Sequence, residues 1–242
     1  MKILPVFTII ILVLTCGIYT IAYSSNCISC QIWSKIPVGE EYLLENNRWG
    51  DHHAKVCIFD NGHEFGWFWD KRWPSNNPIY PEVIYGWKPW LDHSTTDKLP
   101  QKIGEIEHLI LKANYTTTAE DYSWHNVLVD VWVTRSNPPS PDKITDEVGI
   151  YLETHGLFPR HVYELVEING TYYAYVKGES FNWRFHKFYL LDKKPEKLDI
   201  MAFIKYLNLS QDLYLSSIEF GNEVWMGRGL TIVRDFRVEV IT

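Results

Sequence analysis

Strict alternation of apolar and polar residues limits the fold of this chain more than any other feature. The segment 126–134 (NVLVDVWVT) places four valines on one side of an extended chain and Asn126, Leu128, Asp130 and Trp132 on the other. Successive side chains of a β-strand point to opposite faces of the sheet. The pattern therefore predicts a strand with one face in a core and one face turned away from it.

Similar short segments recur along the chain, and turns rich in Gly and Pro separate them. Further strands are predicted at Glu147–Glu153, Val162–Ile168, Thr171–Lys177, Phe185–Leu191, Tyr214–Glu223 and Leu230–Ile241, and one helix at Lys197–Leu207. Many short strands between turns are typical of a β-sandwich. An all-β chain of 242 residues commonly forms one unit. We therefore predict an all-β fold: a single β-jelly-roll sandwich of two antiparallel sheets over residues 25–242, with one short helix.

The first 24 residues have the pattern of an export signal. Lys2 precedes an apolar run from Ile3 to Ala22, and Ala22 and Ser24 fit a small-x-small cleavage site. The run is also close to the length that spans a bilayer, so an uncleaved membrane anchor is the alternative. Either way we expect an exported protein, secreted or attached to the membrane.

Charge and aromatic content narrow the class of partner. The formal net charge is −7 and no basic tract is present, which argues against nucleic acid. Aromatic residues make up 15% of the chain, including 11 Trp and 15 Tyr, and many lie among Gly, Asn and Pro. Exposed flat rings of this kind indicate a binding surface. Separately, we expect the protein to be a monomer.

Three predicted strands carry acidic residues opposite their apolar faces, namely Asp130, Glu147 and Glu223. If that sheet is bent, its concave face could bring the three together in a groove lined by Trp and Tyr. Cleavage of a glycosidic bond needs two carboxyl groups across a groove, one ionised and one protonated. The pattern alone favours solvated surface acids, since most Asp and Glu residues lie on surfaces.

Several segments together resemble glycoside hydrolase family twelve, the endo-β-1,4-glucanases and xyloglucanases. The segment 214–232 (YLSSIEFGNEVWMGRGLTI) is similar to the family's C-terminal signature, in which Glu223 ends a Phe-Gly-x-Glu run. NVLVDVWVT resembles the strand with a central Asp, matched by Asp130, and EVGIYL the strand that begins with the nucleophile, matched by Glu147. ENNRWG (residues 45–50) resembles the paired-Asn motif, matched by Asn47 and Trp49.

The resemblance implies a jelly roll with a concave substrate groove and a retaining, endo-acting mechanism. In it Glu147 is the nucleophile and Glu223 the acid and base, with carboxyl groups about 5–5.5 Å apart. Asp130 would hydrogen-bond Glu147 and share a proton with it. No cofactor or metal is implied.

The same resemblance implies a β-glucan substrate that contacts Asn47 and stacks on aromatic rings. Candidate stacking platforms are Trp49, Trp67, Trp69, Trp132 and Tyr151. Two alternatives stay open: a carbohydrate-binding jelly roll without catalysis, and a hydrolase of xyloglucan or xylan. The first has no need to keep both Glu147 and Glu223, and the second would differ only in the groove.

Two further expectations come from cysteines and from a departure from the family pattern. Three cysteines follow the N-terminal segment, and the family's cysteine pair implies a Cys30–Cys57 disulfide, with no role for Cys27. A zinc site at Cys27-x-x-Cys30 is disfavoured because no second CxxC follows. Gly149 and Tyr151 stand where the family usually has Met and Trp, and the missing side chain at Gly149 predicts extra room in the groove.

Overall fold

The computed structural model describes residues 27–156, 158, 163–180 and 182–242. Their strands are β1 (Cys27–Ser29), β2 (Lys35–Val38), β3 (Tyr42–Glu45), β4 (Lys55–Asp60), β5 (Phe65–Lys71), β6 (Glu82–Gly86), β7 (Gln101–Lys102), β8 (His108–Ala119), β9 (Trp124–Thr134), β10 (Ile144–His155), β11 (Glu164–Ile168), β12 (Thr171–Ser180), β13 (Trp183–Leu190), β14 (Leu198–Asp199) and β15 (Tyr214–Ile241). One α-helix, α1 (Ile200–Tyr206), and two 3₁₀ turns at Ile103–Glu105 and Pro141–Lys143 complete the described elements.

The strands form two sheets that share β15. In the front sheet the order is β2-β3-β6-β15-β9-β10-β13-β12-β11, and β7 pairs with the start of β15. In the back sheet the order is β1-β4-β5-β15-β8-β14. The predicted all-β sandwich with one short helix is confirmed.

Strand β15 passes from the front sheet to the back sheet over 28 residues. Its first half pairs with β9, and from Gly227 onward it pairs with β5 and β8. Gly227 has a φ of +107°, and a Cβ there would lie 2.5 Å from the Cα of Ser123, so only glycine fits the crossing. The two strands predicted at Tyr214–Glu223 and Leu230–Ile241 are therefore one continuous strand.

One hydrophobic core fills the space between the sheets and joins residues from Ile36 to Val238. The four valines of β9 are fully buried in it, as their alternation predicts. Helix α1 covers part of this core, and the carboxylate of Asp199 caps it by accepting a hydrogen bond from the Met201 N–H at 3.1 Å. The helix is shorter than the predicted Lys197–Leu207 because Leu198 and Asp199 pair with β8 instead.

One strand pair in the front sheet departs from the antiparallel pattern. Strands β10 and β13 are parallel, with Glu147 opposite Phe185. Strand β11 is antiparallel to β12, and β12 is antiparallel to β13, so β11 and β13 have the same direction as β10. This pairing places the start of β13 beside Glu147.

The predicted signal peptide or anchor at residues 1–24 lies outside the described residues. Within the part of the chain that the structure describes, no helix combines the length and the apolar character needed to cross a membrane.

The predicted disulfide is confirmed: Cys30, after β1, is bonded to Cys57 in β4. The two cysteines are 27 residues apart in sequence. Closing a loop of this length restricts the unfolded chain and stabilises the fold by about 3 kcal/mol.

We expect Cys57→Ser to lower the free energy of unfolding by about 3 kcal/mol, because the unfolded chain regains the freedom that the cross-link removes. Chemical denaturation of the variant and of the unreduced wild type measures this difference. Peptide mapping without reduction should recover Cys30 linked to Cys57, and a Cys27–Cys57 peptide would contradict the assignment.

Candidate active site

A groove of about 670 Å³ lies on the face of the front sheet that points away from the core. Five acidic residues line it: Asp130, Glu147, Glu219 and Glu223 from three neighbouring strands, and Glu45 from β3. Three exposed indole rings also line it, those of Trp33, Trp49 and Trp90. Acids and aromatic rings therefore share one concave surface.

Strand β9 lies between the two strands that carry the predicted catalytic pair. Glu147 on β10 is opposite Trp132 of β9. Glu223 on β15 is opposite Asn126 of the same strand. Both glutamates are half-buried and line the groove from opposite sides of β9.

The carboxylate of Glu147 is held by an indole N–H. Nε1 of Trp183 donates a hydrogen bond to Oε2 of Glu147 at 2.7 Å. Burial raises the pKa of Glu147 above its usual value, while the Trp183 hydrogen bond and the positive charge of Lys187 oppose that rise. The charge of Glu223, across β9, raises the pKa of Glu147 further.

Glu223 is fixed by amide groups on its own and the neighbouring strand. Nδ2 of the buried Asn126 donates to Oε2 of Glu223 at 2.8 Å. The preceding residue, Asn222, is anchored in the core, where its Oδ1 accepts hydrogen bonds from Nε1 of Trp67 at 2.8 Å and Oγ1 of Thr231 at 2.6 Å. The backbone next to Glu223 is therefore tied to the back sheet.

Asp130 lies opposite Gly149 on one side and opposite Glu219 on the other. Burial raises the pKa of Asp130 well above its usual value, and the negative charge of Glu147 raises it further. Among the described residues no hydrogen bond joins Asp130 to Glu147, so this prediction is wrong. Oε2 of Glu147 accepts from Trp183 instead, and Oδ1 of Asp130 is buried without a hydrogen-bond partner among them.

Asn47 and Trp49 occupy one wall of the groove. Nδ2 of Asn47 donates to Oε1 of Glu82 at 2.9 Å, and its Oδ1 accepts from the backbone N–H of Trp49 at 3.2 Å. The indole of Trp49 is 43% exposed and lines the groove, so its face is accessible. This wall matches the motif that suggested both residues.

The other predicted stacking platforms differ in exposure. Trp67 and Trp69 are 0% and 1% exposed and belong to the core, because β5 turns both rings toward the interior of the sandwich. Their assignment to substrate stacking is wrong. Trp132 and Tyr151 line the groove, but they are only 6% and 2% exposed because neighbouring rings pack against them.

The space next to Gly149 is occupied. A Cβ at Gly149 would lie 2.9 Å from Cε2 of Tyr151, whose ring covers this position. Tyr151 is held there by stacking on Tyr189, with ring centroids 4.3 Å apart. The prediction of extra room at Gly149 is therefore wrong.

A buried charged cluster that borders the groove is not recognisable from the sequence. Nζ of Lys88 lies 2.5 Å from Oε1 of Glu82, 2.9 Å from Oε2 of Glu45 and 3.6 Å from Oε2 of Glu219. Burial would lower the pKa of Lys88, but the three carboxylates outweigh it and hold the pKa well above the usual value. Lys88 lies in the turn-like segment GWKPW, which carries no signal of burial.

Sequence reasoning also missed three groups near Glu147, namely Trp90, Trp183 and Lys187. The rings of Trp90, Trp132 and Trp183 pack edge to face, with centroids 5.0 to 6.5 Å apart. Nζ of Lys187 lies 5.6 Å from the centroid of the Tyr151 ring. Trp183 and Lys187 reach the site through the parallel pairing of β10 and β13, which alternation alone does not predict.

Comparisons with known proteins agree with this geometry. The family model "Glycosyl hydrolase family 12" matches residues 40–241. Endoglucanase S of Pectobacterium parmentieri is 26% identical over 220 residues, which cover 83% of this chain and 82% of that protein.

Two solved structures extend the likeness to the fold. A family 12 xyloglucanase from Bacillus licheniformis is 27% identical, with a TM-score of 0.80 over 89% of this chain and 100% of that one. Endoglucanase cel12A from Rhodothermus marinus, at 23% identity, has a TM-score of 0.78 over 89% of this chain and 99% of that one. The predicted jelly roll and the predicted hydrolase activity are confirmed. This chain belongs to glycosyl hydrolase family 12 and is an endo-acting glycoside hydrolase.

Proposed function

We propose that Glu147 and Glu223 are the two carboxyl groups with which this enzyme cleaves internal β-1,4-glucosidic bonds with retention. One observation carries the proposal: both side chains line a single groove, and only strand β9 separates their strands. Each has its own hydrogen-bond donor, Trp183 for Glu147 and Asn126 for Glu223. Two acids in different environments suit two different tasks.

In the first step an ionised oxygen of Glu147 forms a bond to the anomeric carbon. The bond from that carbon to the glycosidic oxygen breaks, and Glu223 gives its proton to the departing oxygen. In the second step Glu223 takes a proton from water, which attacks the anomeric carbon and releases Glu147. Two inversions return the product to the configuration of the substrate.

The open shape of the groove supports cleavage inside a long chain. Trp49 and Trp90 are 43% and 51% exposed at the groove, so both present ring surface to a ligand. Apolar faces of sugar rings pack well on such indoles. We propose Asn47 and Trp49 as one binding wall, and Trp132 and Tyr151 as packed groove lining that contacts the chain at its edges.

We propose a β-1,4-glucan backbone, plain or decorated, as the substrate. Endoglucanase S is named as an endoglucanase, and the Bacillus licheniformis protein is described as a xyloglucanase. Xylan stays the alternative, because a change in groove shape alone would admit it. Reducing-sugar release from carboxymethyl cellulose, barley β-glucan, xyloglucan and xylan separates these substrates.

We further propose that the enzyme works outside the cell. Its substrate is a polymer, and the Cys30–Cys57 disulfide is of the kind that persists in oxidising compartments. Cleavage after Ser24 would release the enzyme, whereas an uncleaved segment would keep it attached to the membrane.

Asp130 acts in this proposal as a neutral acid beside the nucleophile. Burial and the nearby negative charges keep its proton bound in the working range. A neutral Asp130 leaves the single negative charge of the pair on Glu147, where the attack on the anomeric carbon requires it.

We expect Glu147→Gln and Glu223→Gln to fold normally and each to lose about 100-fold or more of the activity on glucan, because each removes one task of the pair. Glu153→Gln on the same strand as Glu147 is the matched control, since Glu153 faces His155 and Lys194 rather than the groove. Azide rescue with an aryl cellobioside assigns the roles. Glu147→Ala should give the α-glycosyl azide and Glu223→Ala the β-glycosyl azide, and the reverse pattern would exchange the two assignments.

We expect Asp130→Asn and Asp146→Asn to change stability in opposite directions near pH 7. Burial alone would raise the pKa of Asp146, but hydrogen bonds from His186 and Arg184 outweigh it and lower the pKa. Asp146 therefore stabilises the fold above its unfolded pKa, and this contribution is lost as pH falls through the lower folded value. Asp130 has a raised folded pKa, so the stability it contributes is present below about pH 4 and is lost as pH rises.

Thermal unfolding between pH 3 and pH 8 measures both effects. Asp130→Asn should gain stability relative to wild type as pH rises above about 4, by about 1.4 kcal/mol for each unit of pKa difference. Asp146→Asn should lose the most stability near pH 7 and less near pH 3. An Asp130→Asn curve parallel to that of wild type would show that Asp130 is ionised in the native state.

A further inference from the structure

Trp183 holds the proposed nucleophile in a way that neither the alternation of the strands nor the motifs of the sequence reveal. It is the first residue of β13, on the same face as Phe185, and Phe185 is opposite Glu147. Its Nε1–H donates to Oε2 of Glu147 at 2.7 Å, a short bond typical of a charged acceptor. With Oε2 engaged in this way, Oε1 is the oxygen that remains to attack a substrate.

The orientation of this indole is fixed by two other indoles. The Trp183 ring packs edge to face on Trp132, with centroids 5.6 Å apart, and on Trp90 at 6.5 Å. Trp132 is itself opposite Glu147 on strand β9. Two neighbouring strands therefore hold the donor and its acceptor at a set distance, before any substrate binds.

A neutral donor has a specific advantage at this place. A carboxylate that must become an ester needs to be ionised, yet burial favours its protonated form. An indole N–H stabilises the ionised form without adding a positive charge next to the carbon that is attacked. It has no acceptor capacity, so it cannot take up a proton from Glu147.

We propose that Trp183 is a positioning residue for catalysis, which fixes Oε2 of Glu147 and presents Oε1 to the anomeric carbon in the ionised state. This inference rests on the proposed role of Glu147 as nucleophile. The titratable and charged groups that face Glu147 are Asp130 on β9, Tyr151 on its own strand, Lys187 on β13 and Glu223 on β15. Of the hydrogen bonds described in the structure, the one from Trp183 reaches Glu147 directly.

The test measures the ionisation of Glu147 apart from that of Glu223. Treatment with 2,4-dinitrophenyl 2-deoxy-2-fluoro-β-cellobioside bonds a carboxylate oxygen of the nucleophile to the anomeric carbon and expels dinitrophenolate. This leaving group needs no proton, so the labelling rate follows the nucleophile alone. Peptide mapping identifies the labelled residue, and the pH dependence of the rate gives the midpoint of its ionisation.

In Trp183→Phe we expect the label on Glu147, a labelling rate about tenfold lower near neutral pH, and an acidic midpoint moved upward by roughly one pH unit. The loss of a donor to the charged form raises the pKa of Glu147, which sets the sign. Trp73→Phe is the matched control, because it makes the same substitution at an indole that is 79% exposed and does not line the groove. Its midpoint should stay at the wild-type position.

The outcomes separate this inference from the proposed function. A label on another residue would overturn the role of Glu147 and the inference with it. A label on Glu147 with an unchanged midpoint in Trp183→Phe, or with equal shifts in both Trp variants, would overturn the inference alone.

A measurement on the wild type does not depend on the folding of either variant. In a ¹⁵N-labelled sample, one indole N–H resonance should move with pH at the midpoint found by labelling, and this titration should disappear in Glu147→Gln. If no indole resonance titrates at that midpoint, Trp183 does not contact the ionising carboxyl group and the inference is wrong.

Discussion

The active site depends on the pleat of one strand. Strand β9 buries its four valines in the core and turns the alternate side chains, Asp130 among them, toward the groove. Rotating or shifting β9 by one residue would exchange these two faces and expose the core. The direction of β9 is therefore fixed by hydrophobic burial, and β9 in turn fixes the separation between the strands that carry Glu147 and Glu223. Packing of the core thus sets the geometry of the chemistry.

The groove gathers several acidic groups at close range, and three features limit their repulsion. Burial and neighbouring negative charges raise the pKa of Asp130 well above its usual value, which favours its neutral form. Lys88 places one positive charge against Glu45 and Glu82, and Lys187 places another on the side of β10 away from β9. Glu147 and Glu223 are the acids whose charge the proposed mechanism needs. The repulsion among the acids is therefore reduced locally, although the whole chain carries a formal net charge of −7.

The sequence predicts those parts of the site that depend on alternation within a strand or on a local motif. The groove-facing positions of β9 and β10, and the placement of Asn47 and Trp49 on the groove, are of this kind. The sequence does not predict which of the two sheets a strand joins. Trp69 has the same alternating pattern as a groove residue, but it lies in the core of the sandwich. The position of Trp183 depends on the parallel pairing of β13 with β10, which β11 and β12 separate in sequence. The burial of Lys88 depends on tertiary packing around the segment between β6 and β7 that carries it. Both come from tertiary contacts that no window of sequence contains.

The buried charged cluster beside the groove is explained by the site rather than by the stability of the fold. Buried ion pairs are often no more stabilising than apolar side chains of the same volume, because desolvation offsets the attraction. Yet Lys88 pairs with Glu82, and Glu82 accepts the hydrogen bond that fixes the amide of Asn47 on the groove wall. An apolar residue in place of Glu82 would leave that amide free to rotate, and its Oδ1 would no longer be set against the backbone of Trp49. The cluster is therefore best understood as orienting the proposed sugar-binding wall, and the same reasoning applies to Trp183, where packed rings hold one donor against one oxygen of Glu147. In both places the side chain proposed to act on the substrate is oriented by a hydrogen bond to a neighbouring side chain.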